Sequence, residues 1–174
     1  MFKPNFTITP EINNKIAEIE KQKTLFDQAN ILPELAIELR FRATVESVHS
    51  STSIEGNPLN EQEVKKVLEG NTISAPDYAI QEVLNYKNAL NWLNQRVDSK
   101  GSLTEKEILH LHGILMEKLL ETKKTGRYRP GEIYVVDQIN NREVIQYTGP
   151  NEKDLGKLVT TFLKWVGIQK SETK

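Results

Sequence analysis

The sequence contains no cysteine. That excludes disulfides, thiolate metal sites and a cysteine nucleophile. It also lacks a charge excess of either sign. Lys and Arg number 23, Asp and Glu 24, and the formal net charge is −1. There is neither the broad basic field of a nucleic-acid-binding domain nor a long acidic block. No apolar run approaches the ~20 residues that a membrane span requires. The start, Met1-Phe2-Lys3-Pro4-Asn5, lacks the apolar centre of a signal peptide. These absences point away from nucleic acid and membrane, and towards the cytoplasm. Hydrophobic residues make up 37% and charged residues 27% of the chain. At 174 residues, one domain or one domain and a small part is expected. No internal repeat or low-complexity segment occurs.

What is present reads mostly as helix. Residues 1–10 form an extended arm broken by Pro4 and Pro10. Thr9 is placed to cap a helix that begins at Pro10 and runs to about residue 29, with Ile12, Ile16, Ile19 and Phe26 at helical spacing. A second helix covers residues 34–54. Asn60 and Glu63 read as a capping box opening a short helix that ends at Gly70-Asn71. The longest helix starts at Pro76-Asp77 and reaches residue 97. After a loop at 99–102, Thr104 and Glu107 form a second capping box at the head of a helix over 104–121. Two β-branched and aromatic runs, Ile133-Tyr134-Val135-Val136 and Glu143-Val144-Ile145-Gln146-Tyr147, flank a polar stretch and predict a β-hairpin. An isolated hairpin is marginal in water, so it is expected to lie on helices or to bind something. Pro150-Asn151 opens a last helix, and residues 169–174 read as a polar tail.

The second helix ends oddly. Residues 50–53 are all Ser or Thr, which are indifferent helix formers. Gly56 suits the left-handed turn past a helix end, and Pro58 blocks continuation. Glu55 therefore falls at the negative pole of the helix, where an exposed carboxylate costs roughly 0.3–1 kcal/mol. One explanation is local: the hydroxyls bond back to the preceding turn and Glu55 is simply solvated. The other is functional, because a helix end that breaks two local rules is where a site is expected.

Ser51-x-x-x-Glu55-Gly56, followed by Asn57-Pro58-Leu59, resembles the inhibitory-helix motif of Fic-family proteins, (Ser/Thr)-x-x-x-Glu-(Gly/Asn). It is most similar to the subgroup that carries this brake N-terminal to the catalytic core. Further along, Gly126-Arg127-Tyr128-Arg129-Pro130-Gly131, the hairpin, and Tyr147-Thr148-Gly149-Pro150 resemble the Fic flap and the helix after it. The two matches lie in the family's order. The resemblance implies a mainly α, Fic-type helical fold with one β-hairpin. It implies a protein adenylyltransferase, or AMPylator, activity for the complete family, which moves AMP from ATP to hydroxyl side chains of target proteins with Mg. It also implies regulatory roles for Ser51, Glu55, Gly56 and Asn57. Arg127, Tyr128, Arg129, Ile133, Tyr134, Val135 and Val136 would form the flap that docks the target. Docking of this kind is β-augmentation, in which an open strand edge accepts an extended segment.

Fic catalysis rests on a later motif, His-x-Phe-x-(Asp/Glu)-Gly-Asn-(Gly/Lys)-Arg-x-x-Arg, and the 174 residues contain no such run. The three histidines are His49, His110 and His112, and none opens it. His110 and His112 lie roughly 200° apart around a helix axis and cannot share a metal. Lys21-Gln22-Lys23, Lys65-Lys66 and Lys123-Lys124 form short charge pairs without a stripe. The expectation is a truncated chain, with residues 1–70 as the helical region bearing the brake and 71–174 as the first part of the Fic core. Such a chain would be inactive alone, would bind no cofactor by itself, and would have no catalytic or metal residue of its own. The alternative is a helical interaction module that supplies the brake or flap to a separate Fic core; a third reading is an unrelated helical adaptor. Expected partners are a protein target, a Fic core supplied in trans, or a second copy through apolar surface at Phe162 and Trp165.

Overall fold

The computed structural model describes residues 4–97, 103–139 and 142–172. The loop expected at 99–102 lies outside the described residues. So do residues 1–3 of the expected arm, Asn140 and Asn141 of the hairpin turn, and the end of the expected tail at 173–174. The described residues form six helices and one antiparallel pair of strands, a mainly α fold. The helices are α1 (Pro10–Asp27), α2 (Pro33–Ile54), α3 (Glu61–Leu68), α4 (Asp77–Val97), α5 (Glu105–Leu115) and α6 (Leu155–Glu172). The strands β1 (Tyr134–Ile139) and β2 (Arg142–Thr148) fall between α5 and α6, and a 3-10 turn, Glu152–Asp154, leads into α6.

Two compact units divide the chain, residues 2–44 and residues 45–174. In the first, Thr9 Oγ1 accepts from Ile12 N–H at 3.2 Å and Pro10 occupies the opening helical position of α1. No residue of α1 is buried, and Ile12, Ile16, Ile19 and Phe26 stay exposed.

The second unit holds the core. Its buried apolar side chains are Val45 and Val48 of α2, Leu59 in the segment before α3, Val64, Val67 and Leu68 of α3, and Ala79, Val83 and Ala89 of α4. Val64, Val67 and Leu68 fall on one face of a two-turn helix, which packs against α4. Each fully buried Val contributes roughly 1.5–3 kcal/mol relative to an exposed one. Asn60 and Glu63 cap α3 reciprocally, with Glu63 N–H donating to Asn60 Oδ1 at 3.0 Å and Asn60 N–H to Glu63 Oε2 at 2.9 Å. At its other end Gly70 has φ 85 and donates to Val67 O, while Asn71 N–H reaches back to Lys66 O at 2.9 Å. Lys87 of α4 donates to Leu68 O at 3.0 Å, so α4 caps the end of α3. α4 packs on α5, and α5 on α6.

Two sequence expectations need correction. The helix expected over 104–121 ends at Leu115. Asn85, fully buried on α4, donates through Nδ2 to Leu115 O at 3.0 Å and to Glu117 O at 2.7 Å. Its Oδ1 accepts from Gln81 Nε2 at 2.8 Å. The carbonyls that would continue α5 are thus taken by another helix, and Lys118 turns the chain away at φ 59. The expected polar tail is also helical as far as Glu172.

One ion pair ties α4 to the head of α5. Arg96 donates through Nε and Nη2 to the two oxygens of Glu107, the second at 3.2 Å. Glu107 also accepts from Thr104 N–H and Oγ1, each at 2.7 Å. The Arg96 hydrogen bond first, and those from Thr104 next, lower the Glu107 pKa from 4.5 to about 2. A depressed carboxyl stabilises the fold fully above pH 4.5 and loses that contribution as pH falls towards about 2. The melting-temperature difference between wild type and Glu107→Gln should therefore be greatest at neutral pH and shrink below pH 4.5. Thermal melts followed by circular dichroism between pH 7 and pH 2 check this.

Candidate functional site

α2 does end in a left-handed turn. Gly56 has φ 90, its N–H donates to Ser53 O at 3.0 Å, and Asn57 N–H donates to Thr52 O at 3.0 Å. This pairing satisfies two of the carbonyls that every helix end leaves open. Thr52 is buried, and its Oγ1 donates to Val48 O at 2.9 Å. The hydroxyls do part of what the local reading expected. Ser51 is half-buried and accepts from Tyr86 OH at 2.7 Å, which joins the last turn of α2 to α4.

Asn57 is the clamp of this corner. It is buried, and Nδ2 donates to Ala79 O at 3.0 Å and to Glu82 Oε2 at 2.7 Å. Its Oδ1 accepts from Leu59 N–H at 3.0 Å. One amide thereby fixes the turn after α2, the lead into α3 and the first turns of α4. Glu55 and Gly56 remain exposed. Ser51 and Glu55 lie on one groove of about 570 Å³, with Thr52, Ile54, Glu82 and Tyr86, and with Leu115, Met116 and Leu119 beyond the end of α5. Among the described residues no cation pairs with Glu55.

The residues expected to form the flap are brought together elsewhere. β1 and β2 pair from Tyr134↔Thr148 to Ile139↔Arg142, with the register shifting between Val135 and Val136. Val135 faces Tyr147 and Val136 faces Ile145, so Gln146 is the extra residue of a bulge in β2. All residues of both strands are exposed, Ile133 as well. The foot is firmly tied. Arg129 donates to the carbonyls of Gly131 and Pro150, and Gly149 N–H donates to Ile133 O at 2.9 Å. A Cβ on Gly149 would stand 2.7 Å from Ile133 Cγ1, so any larger residue there would have to push the Ile133 side chain aside. Gly126 has φ 63 and donates to His112 Nδ1 at 3.0 Å; a Cβ there would stand 3.2 Å from Leu109 O. Tyr128 OH donates to Glu105 Oε1 at 3.0 Å, and burial followed by that carboxylate raises the Tyr128 pKa. Tyr134 OH donates to the Glu132 carboxylate. Arg127 is exposed.

Two of the histidines make packing contacts. His110 lies 5.2 Å from the Trp92 ring, tilted at 56°, and His112 accepts from Gly126. Among the described residues no three His, Asp or Glu side chains are placed to hold a metal. No helix among them is long and apolar enough to cross a membrane.

No protein-family model and no curated protein matches the chain. Among solved structures it is similar to the crystal structure, at 2.70 Å resolution, of a Fic family protein from Desulfovibrio desulfuricans G20. The TM-score is 0.69 and the identity 28%, over 95% of this chain and 48% of that one. The fold is Fic-like. The chain spans about half the length of the solved chain that it matches.

Within this Fic-like fold, sequence reasoning missed Asn85, Glu82 and Tyr86. Asn85 left one signal: a weak helix former among the apolar positions of α4. Ser51, Glu55 and Gly56 sit together at the helix end, whereas Asn57 turns into the core. The two kinds of residue should separate by stability. Asn57→Ala strands Glu82, Ala79 O and Leu59 N–H, and should cost about 1–3 kcal/mol. Glu55→Gln, at an exposed position, should stay within about 0.5 kcal/mol of wild type. Urea denaturation of both variants measures the contrast.

Proposed function

We propose that this chain is the regulatory part of a Fic-type protein AMP-transferase. The end of α2 supplies an inhibitory carboxylate, and the hairpin docks an extended segment of the protein target. The observation that supports this best is Glu55. It is an exposed carboxylate without an ion-pair partner among the described residues, at the negative pole of its own helix and on the rim of a groove. A carboxylate in that position gains most from a cation brought by another segment. In the Fic scheme that cation is the last arginine of the His-x-Phe motif. Glu55 would occupy it and repel the terminal phosphate of ATP, so that the nucleotide binds unproductively.

The chain's own residues do not fit ATP or Mg. They include no glycine-rich phosphate loop and, among the described residues, no metal-ligating cluster. Nucleotide, metal and general base therefore belong to the segment that carries the motif. The hairpin is the second functional element. Its strands are solvated on both faces, and their outer edges leave backbone groups open to an added strand.

A second reading is an interaction module that delivers the brake or flap to a separate Fic core. The buried set shared by α2, α3 and α4, with the Asn57 clamp, favours a unit that folds around its own core. Both readings give Glu55 the same task.

The test is AMP transfer from labelled ATP, using the full chain alone and combined with a Fic core that carries the motif. The chain alone should label no protein. In the combination, Glu55→Gly should raise transfer by about 5- to 150-fold. Labelling by the chain alone, or an unchanged rate in Glu55→Gly, overturns the proposal.

A further inference from the structure

The lysine pair at 123–124 showed no stripe in the sequence, but the fold gathers it with other cations. Lys123, Lys124, Arg127 and Arg129 line one groove of about 520 Å³, walled by Leu120 and Tyr128. No carboxylate lines it. Glu121 lies beside it and is shared, at 2.8 Å from Lys123 Nζ and 3.5 Å from Lys124 Nζ. Four cations line the groove, and the neighbouring carboxylates are Glu121 and, behind the Tyr128 hydroxyl, Glu105, in a chain whose formal net charge is −1. Arg129 is committed to the carbonyls of Gly131 and Pro150, so it forms a fixed wall of the groove. The other three cations are exposed. Ion pairs as exposed as those with Glu121 hold little free energy and exchange readily for another carboxylate.

The groove adjoins the foot of the hairpin. Residues 127–130 line it, and β1 begins at Tyr134. The bulge lies in β2, which leaves β1 the regular strand and its outer edge the better template for an added strand. We propose that this groove receives an acidic segment of the protein whose extended strand docks on the edge of β1. The inference rests on the docking reading above and adds a preference for acidic residues flanking the docked strand. Leu120 and Tyr128 favour a polypeptide over a nucleic acid, because they offer apolar contact to the stems of acidic side chains and no stacked pair of rings for bases.

The test uses the full chain and fluorescence anisotropy with labelled alternating Val/Thr peptides. One peptide ends in three Glu, the second in three Gln, and a thymidine oligonucleotide is the third probe. The acidic peptide should bind about tenfold or more tightly than the Gln peptide at low salt, and the advantage should fade at high salt. Combined Lys123→Gln and Lys124→Gln substitutions should abolish the advantage while leaving binding of the Gln peptide unchanged. Equal binding of the two peptides overturns the groove proposal and leaves the docking reading standing. Binding of neither peptide overturns both. Tighter binding of the oligonucleotide, lost in the double variant, overturns it in favour of a nucleic-acid surface.

Discussion

The buried amide of Asn57 constrains the corner on which the rest depends. Its two donated bonds, to Ala79 O at 3.0 Å and Glu82 Oε2 at 2.7 Å, join the turn after α2 to α4. Its accepted bond from Leu59 N–H sets the chain's entry into α3. An amide so buried and so fully partnered has few alternative arrangements, since each lost bond would leave a polar group without water. The end of α2 is therefore held to α4, with Ser51 reinforcing the contact through Tyr86. Glu55 is fixed in place without itself being used in the fixing.

The same economy recurs along α4. Asn85 ends α5, Lys87 caps α3 and Arg96 holds the head of α5 through Glu107. α4 thus organises its neighbours through polar side chains that close other helices' ends, while Ala79, Val83 and Ala89 supply its share of the core. The hairpin is the opposite case. Among the described residues it buries none of its strand residues and is tied at its foot, by Arg129, Gly149, the Tyr128–Glu105 hydrogen bond and the close approach of Gly126 to α5. A strand pair with so little packing gains stability when another strand or surface covers it.

Local signals were the legible ones. The capping boxes at Asn60/Glu63 and Thr104/Glu107, the glycine stops at Gly56 and Gly70, and the β-branched runs of the hairpin each act within a few residues, so the sequence displays them directly. The end of α5 was not legible, because its cause, Asn85, lies about thirty positions upstream and acts only once α4 and α5 pack. Asn57 read as part of a motif, and only its contacts with α4 reveal a clamp. The basic groove was hidden for a similar reason. Lys123-Lys124 and the arginines at 127 and 129 look like scattered charges until the turn at Gly126 folds them onto one surface.

The central claim is that Glu55 acts on an arginine supplied by the motif-bearing core. Its most direct test is a double-mutant cycle on ATP affinity in the combined protein, pairing Glu55→Gly with replacement of that arginine by Ala. The account predicts a coupling of about 1–3 kcal/mol, with Glu55→Gly tightening ATP only when the arginine is present. Effects that add to within about 0.5 kcal/mol would contradict it.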